Sequence, residues 1–321
     1  MKHRKQICIL IPAYNEEQVI PQLYDRLTAL ANAQTDYQFE FLFVNDGSRD
    51  RTLEILQEYA AHDQRIGYIN LSRNFGKETA MIAGLDHADA DATIIIDADL
   101  QDPPELIPEM LHHWEAGYDD VYARRASRAG ESWFKKTTSQ LFYRVLQKST
   151  PITIQRDTGD FRLLDKRCVQ ALRTMRESQR YTKGMFSWIG YKKKEVIFER
   201  EARAAGVSKW NYWKLLDLAI EGITSFTTLP LRWSSILGVI ISLLAFLYIA
   251  LILLRTLFFG NHVAGYPSIM AVVLFLGGVQ LLSLGIIGEY VGRIFTETKQ
   301  RPLYFVEAVH RGQTISPTAR D

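Results

Sequence analysis

Residues 94 to 105 read Ile, Ile, Ile, Asp, Ala, Asp, Leu, Gln, Asp, Pro, Pro, Glu: a buried-type strand run that ends in two carboxylates, Asp97 and Asp99, and breaks at two prolines. Side chains two apart on a strand share a face. Such a strand end presents paired hard oxygens suited to Mg²⁺ or Mn²⁺ and, through the metal, to a diphosphate. The chemistry served would be that of a nucleotide-sugar donor site. Taken alone, the same acidic turn reads equally as a solvated loop.

The elements that must position these carboxylates follow from periodicity. Short β-type runs recur at Ile7 to Ile11, Phe39 to Val44, Ile66 to Leu71 and Thr93 to Asp97, near the roughly 30-residue spacing of a βαβ unit. Between them, residues 17 to 33 place Val19, Ile20, Leu23, Leu27 and Leu30 on one helical face with Pro21 near the first turn. Residues 50 to 61 begin with an acidic cap and carry Leu53, Leu56 and Ala60. This alternation predicts an α/β fold with a mostly parallel sheet covered by helices, in which ligands sit at the carboxyl ends of the strands. The loops of interest are then 12 to 17, 45 to 50, 72 to 78 and 97 to 105.

The first loop excludes a dinucleotide fingerprint, because Pro12, Ala13, Tyr14, Asn15, Glu16, Glu17 stand where G-x-G-x-x-G would be required. A nucleobase stacked near Tyr14, with Glu16 and Asp46 accepting base or ribose donors, fits better. Asn45, Asp46, Gly47, Ser48 reads also as a plain turn plus helix cap.

The chain of 321 residues is long enough for about two domains, and its composition changes along its length. Ser234 to Leu254 and Pro267 to Gly288 contain no charged residue, each longer than the roughly 18 apolar residues that license a membrane span. Their connector has one basic residue at its edge, whereas Lys209, Lys214, Arg232, Arg293, Lys299 and Arg301 flank the other side. The positive-inside rule therefore expects both chain ends in the cytoplasm.

At the second span, Gly288 and Gly292 have a small-xxx-small spacing, and Glu289 and Arg293 an i, i+4 ion-pair spacing. The net charge of +2 hides basic clusters at 124 to 128, 135 to 136, 192 to 194 and 200 to 214. These suit anionic headgroups or phosphates better than nucleic acid, for which no motif is present. Residues 133 to 148 alternate aromatic and basic positions as an interfacial helix does; an ordinary surface helix has the same pattern. Cys8 and Cys168 lack metal-ligand spacing and read as a strand-core thiol and a helix thiol in a reducing compartment. The N-terminal apolar run is too short for a signal peptide.

Six segments in order, PAYNEE at 12 to 17, NDGSRDRT at 45 to 52, RNFGKE at 73 to 78, DADLQDPPE at 97 to 105, DTGDFRLLD at 157 to 165 and GEYVGRIFTETKQRPLY at 288 to 304, resemble the bacterial polyprenyl-phosphate glycosyltransferases of glycosyltransferase family 2, relatives of dolichol-phosphate mannose synthase. The resemblance implies a GT-A (Rossmann-like) domain over 1 to 230. Two transmembrane helices at about 234 to 254 and 267 to 288 follow within 231 to 295, and then a cytoplasmic tail over 296 to 321. The protein would be a multi-pass enzyme of the inner membrane with its catalytic domain in the cytoplasm.

Position by position, Pro12, Tyr14, Glu16, Asp46 and Lys77 would hold the nucleotide sugar. Asp97 would lie near sugar and ribose, and Asp99 would be the principal metal ligand with Gln101 beside it. Arg125, Arg128, Lys183, Arg203 and Lys209 would serve phosphate or acceptor, and Asp157 or Asp160 would supply the acceptor-side catalytic carboxylate. Val207 departs from the glutamate that many relatives carry in the phosphate loop.

The implied reaction is inverting transfer from a nucleotide sugar, UDP-glucose first, to undecaprenyl phosphate, with Mg²⁺ or Mn²⁺ as cofactor. A homo-oligomer, such as a tetramer, a separate flippase and a downstream glycosyltransferase would be the partners. A processive polysaccharide synthase would need a downstream QxxRW segment, which is absent. A non-enzymatic membrane scaffold would not keep Asp97, Asp99 and Gln101 together.

Overall fold

The structure, a computed structural model, describes residues 4–126, 158–178, 182–198, 229–259 and 265–312. The chain divides into two compact units, one formed by 1–147, 152–211 and 302–321, the other by 148–151 and 212–301.

The first unit is built on an eight-stranded sheet. In chain order its elements are β1 (Lys5–Ala13), α1 (Ile20–Ala33), β2 (Tyr37–Asn45), α2 (Thr52–His62), β3 (Ile66–Leu71), α3 (Lys77–His87), β4 (Ala92–Ile95), a 3₁₀ turn (Pro104–Leu106), α4 (Ile107–Glu115), β5 (Asp120–Arg125), β6 (Thr158–Asp165), α5 (Lys166–Thr174), α6 (Thr182–Trp188), β7 (Lys193–Phe198) and, far along the chain, β8 (Val306–His310). The strand order is β7-β5-β6-β4-β1-β2-β3-β8.

Strands β3, β2, β1 and β4 run parallel, as the alternation of runs predicts. Strand β6 is antiparallel to both β4 and β5, and β8 is antiparallel to β3. The sheet is therefore mixed rather than uniformly parallel. Strand β1 is buried along nearly its whole length, because helices cover both faces. Ile7, Ile9 and Ile11 pack with Phe39, Phe41 and Phe43 on one side. Cys8 and Leu10 pack with Leu42, Val44 and Ile95 on the other. Both thiols are buried and free, one on a strand and one on a helix.

Two differences from the sequence reading affect the site. Strand β4 ends at Ile95, so Asp97 and Asp99 stand in the turn beyond it rather than on one strand face. Leu100 in that turn has φ +59°, a left-handed conformation uncommon for a bulky residue and costing on the order of 1 kcal/mol or more. The turn, not strand alternation, aims the carboxylates. Second, residues 302–312 do not run free as a tail. They return to the sheet and cover the β3 edge, with Ser72 N donating to Phe305 O at 3.0 Å and the Tyr304 hydroxyl donating to Asp86 at 2.8 Å. An uncovered β3 would offer its backbone groups to any passing strand.

The second unit contributes two long helices, α7 (Leu229–Phe259) and α8 (Tyr266–Thr298). Apolar side chains such as Val239, Phe246 and Leu281 are exposed on them. Among the described residues one stretch, Phe275–Thr298, is long and apolar enough to cross a membrane by length and composition, and Trp233–Tyr248 is a shorter apolar helix. The Glu289 and Arg293 spacing closes as an ion pair, Arg293 Nε donating to Glu289 Oε1 at 3.0 Å. The amphipathic stretch 133–148 lies outside the described residues.

Where β5, β6 and β7 meet, Arg162 and Asp120 form a fully buried ion pair, Nη1 to Oδ2 3.2 Å. The guanidinium sits 3.7 Å from the centroid of the Phe186 ring, and Lys193 Nζ is 3.6 Å from Asp120. Burial pulls the Lys193 ammonium below its usual range, Asp120 opposing. Removing one member of such a pair leaves an uncompensated buried charge, at a cost of about 3–5 kcal/mol. We expect Asp120→Ala to lower the thermal unfolding midpoint of the purified protein far more than Glu54→Ala, which removes only an exposed pair with Arg51. Equal midpoints for the two variants would remove Asp120 from its structural role.

Candidate active site

The loops at the carboxyl ends of β1, β2, β3 and β4 lie at one end of the sheet. The first two are laced together by backbone and side-chain bonds. Asn15 N donates to Ser48 Oγ at 2.9 Å, Arg49 N to Asn15 Oδ1 at 2.8 Å, and Glu16 N to Thr52 Oγ1 at 2.9 Å. Gly47, at φ +64°, lies so close to the next loop that a Cβ would stand 2.4 Å from the Arg73 carbonyl carbon. Only glycine allows that approach.

These loops enclose a cleft of about 370 Å³, lined by Tyr14, Asn45, Arg49, Asn70, Arg73 and Glu307 among others. Tyr14 is 42 % exposed, leaving its ring free to stack on a flat ligand. Pro12, buried at the end of β1, sets the chain direction before it. Glu16 and Asp46 are not among the residues that line this cleft. The Asp46 carboxylate is buried and accepts from Phe75 N (2.7 Å) and Gly76 N (2.9 Å) through its two oxygens. Burial raises its pKa against the lowering by these two N–H groups. In this arrangement Asp46 fixes the loop that precedes α3.

That loop delivers Lys77 to the acidic centre. Its ammonium lies 2.6 Å from Asp97 Oδ1 and 2.6 Å from Asp160 Oδ2, bridging the turn after β4 to strand β6. Burial would lower the Lys77 pKa, but Asp97 and Asp160 outweigh it and hold the ammonium firmly charged. Asp97 is raised by burial and by Asp160 and Asp99, with Lys77 opposing. Burial and Asp97 push the Asp102 carboxyl up to about 7, with Lys77 and Arg125 lowering it. Asp99 Oδ1 accepts from Gln101 N at 3.2 Å, closing the turn. Arg125, at the end of β5, reaches to within 3.8 Å of the place a Cβ on Gly159 would take, next to Asp160.

The structure thus brings together Asp97, Asp99, Gln101, Lys77, Asp160 and Arg125. Lys183 is on α6, while Asp157, Arg128, Arg203 and Lys209 lie outside the described residues. No group of three His, Cys, Asp or Glu side chains converges on a metal position among the described residues. One oxygen of the expected ligand set, Gln101 Oε1, is nevertheless buried without a hydrogen-bond partner, while Asp97 Oδ1 is held by the Lys77 ammonium. An orphaned hard oxygen next to the Asp97 and Asp99 carboxylates fits a divalent cation that takes only a few ligands from protein and the rest from substrate phosphates. The sequence reading missed Asp102, although it lies inside the quoted acidic segment. It also missed Asn45, Asn70 and Glu307; the two asparagines stood in plain view at the strand ends, and Glu307 carried no signal.

Comparison with known proteins gives this site a family. Residues 8–173 match glycosyl transferase family 2, and residues 229–294 match the GtrB C-terminal hairpin. An uncharacterized glycosyltransferase of Synechocystis sp. is 50 % identical over 301 residues, 94 % of each chain. A prophage-derived bactoprenol glucosyl transferase of Shigella flexneri is 43 % identical over 96 % of this chain and 99 % of its own length. A prophage bactoprenol glucosyl transferase homolog of Escherichia coli is 42 % identical over 95 % of this chain and the whole of its own. The chain belongs to glycosyltransferase family 2, as a GT-A glycosyltransferase that carries the GtrB C-terminal hairpin.

Proposed function

We propose that the protein transfers glucose from UDP-glucose, with inversion, to undecaprenyl phosphate at the cytoplasmic face of the membrane. The observation that supports this reading is that one loop, 72–77, lines the Tyr14 cleft with Ser72, Arg73 and Asn74 and ends at Lys77, which holds Asp97 and Asp160. A base seated against Tyr14 would direct its diphosphate toward Asp97 and the unpartnered oxygen of Gln101. Relatives named as bactoprenol glucosyl transferases, alignable over nearly the full chain, support glucose as the sugar and a polyprenyl phosphate as the acceptor.

A phosphate monoester has a second pKa of about 6, so the acceptor oxygen needs little help to become a nucleophile. That oxygen attacks the anomeric carbon, the bond to the diphosphate breaks, and the electron pair leaves with the nucleoside diphosphate. Asp99 and Gln101, with Asp97 beside them, would hold Mg²⁺ or Mn²⁺, which when bound supplies positive charge to a departing diphosphate. Lys77 keeps Asp97 and Asp160 at fixed positions and sets a permanent cation between donor and acceptor sides. Asp160 orients the acceptor or a sugar hydroxyl, and Arg125 draws the second anion in, with Arg128, Lys183, Arg203 and Lys209 proposed to join it. The two helices α7 and α8 form a membrane hairpin with residues 256 to 265 outside and both termini in the cytoplasm, the flanking cations setting the direction.

Three outcomes check this reading. Asp99→Asn should lower turnover of UDP-glucose with undecaprenyl phosphate by about 10²-fold or more at saturating metal, the usual scale for lost electrostatic help; near-normal turnover would reject the assignment. Lys77→Gln should cost on the order of 10-fold to 10²-fold in kcat, on the same electrostatic scale, and an unchanged kcat would show the bridge to be incidental. A cysteine placed at Asn261 should react with an impermeant thiol reagent from outside intact cells. Cys8 and Cys168 are buried and give a low background, so reaction from the cytoplasmic side alone would invert the hairpin.

A further inference from the structure

Tyr304 is the last residue of the GEYVGRIFTETKQRPLY segment and lies beyond both matched regions, 8–173 and 229–294. Its hydroxyl donates to Asp86 Oδ2 at 2.8 Å, and the Arg176 guanidinium holds both oxygens of the same carboxylate, at 2.7 and 3.0 Å. Burial and the Asp86 bond raise the Tyr304 hydroxyl well above the ordinary phenol range, so it stays a donor at neutral pH. Asp86 stands near the end of α3, the helix that begins at Lys77. The next residue, Phe305, accepts from Ser72 N at 3.0 Å through its carbonyl. Two adjacent residues of the returning segment therefore hold the stretch 72–86 at its two ends, and Lys77 lies between the holds.

Between them α3 acts as a strut about 14 Å long from Lys77 to Asp86, at the helical rise per residue. Residues 80–85 are all buried. Gly84 presses so closely on β1 that a Cβ would stand 2.0 Å from a Leu10 methyl carbon, so the sheet sets the lateral position of the helix. Its axial position is set at the ends. Asp46 holds the start through the Phe75 and Gly76 amides. Arg173 holds the finish by donating to the Leu85 and Ala88 carbonyls, and the Asp86 clasp completes that hold. The Lys77 ammonium makes two contacts of 2.6 Å, to Asp97 and to Asp160. Hydrogen bonds that short do not survive a shift of about 1 Å.

We propose that Tyr304 is a positioning residue for Lys77: by fixing Asp86 it sets α3 so that the Lys77 ammonium stays between Asp97 and Asp160. This rests on the role given to Lys77 in the donor reading. The segment that follows α8 in the chain is then part of the support of the catalytic centre. Misplacing a catalytic group by a change far from the chemistry acts on turnover, whereas binding of the unreactive part of the donor is retained.

The test is steady-state kinetics of the full-length, detergent-solubilised protein with UDP-glucose, undecaprenyl phosphate and Mg²⁺. Tyr304→Phe removes only the hydroxyl and should lower kcat by about 3-fold to 10-fold, less than the loss from Lys77→Gln, with the KM for UDP-glucose unchanged. Tyr24→Phe is the control: it removes a like hydroxyl, bonded to Asp63 at 3.0 Å between α1 and the end of α2, and should leave kcat unaltered. In the Lys77→Gln background Tyr304→Phe should have no further effect, because residues that act through one another are not additive. An unchanged kcat for Tyr304→Phe, or the same fold loss with and without Lys77, overturns the inference while leaving the donor reading intact. An equal loss from Tyr24→Phe assigns the effect to general loosening and overturns it too. A wild type without turnover overturns the donor reading and, with it, the inference.

Discussion

Asp97, Asp99, Asp102 and Asp160 crowd the carboxyl end of the sheet, and the Lys77 ammonium is the cation that bridges Asp97 to Asp160. Burial raises Asp97 and Asp102, and the neighbouring carboxylates raise them further against the pull of Lys77. The bridge ties an active-site turn with little regular structure of its own to a strand of the core. Much of the surrounding architecture serves to deliver Lys77: Asp46 clamps the Phe75 and Gly76 amides, Gly47 lets the neighbouring loop close in, and α3 starts at Lys77 itself. The buried Arg162 and Asp120 pair performs the matching task on β6, two residues from Asp160.

The second constraint is the sheet edge. A parallel α/β sheet that ended at β3 would expose an unpaired strand next to the donor cleft. The chain instead continues beyond its long helices and lays β8 along that edge. Tyr304 fastens the start of this segment to Asp86, which also binds Arg176. The covering strand thus protects the backbone of β3 and gives the cleft a wall that the first two hundred residues do not contain.

Most of the α/β core was legible because period and propensity agree: the Ile7 to Ile11 and Phe39 to Val44 runs are strands, and the Leu23 and Leu27 face is buried. The place of the acidic cluster was legible too, since an α/β sheet presents its loops of interest at the carboxyl ends of the strands. Its geometry was not. Strand β4 ends at Ile95, and Leu100 in the turn beyond it adopts a left-handed conformation that no local preference of leucine foretells. The role of Asp46 depends on two amides 29 and 30 residues away. Glu307 meets Asn70 across 237 residues of chain, and no periodic pattern encodes such a return.

The arrangement separates two demands that a transferase must meet with one site. On the proposed reading, the Tyr14 ring, the asparagine amides and the Arg49, Arg73 and Glu307 side chains of the cleft face the part of the donor that does not react. The Lys77, Asp97 and Asp160 cluster stands where charge would move. Interactions with the unreactive part hold substrate and transition state alike, whereas only those that strengthen as the diphosphate departs accelerate the reaction. Preformed charge is most effective when it need not reorganise at that moment. A lysine already fixed between two carboxylates meets that condition: it limits carboxylate repulsion before substrate arrives, and on the proposed reading its charge stays beside the leaving group as the bond breaks.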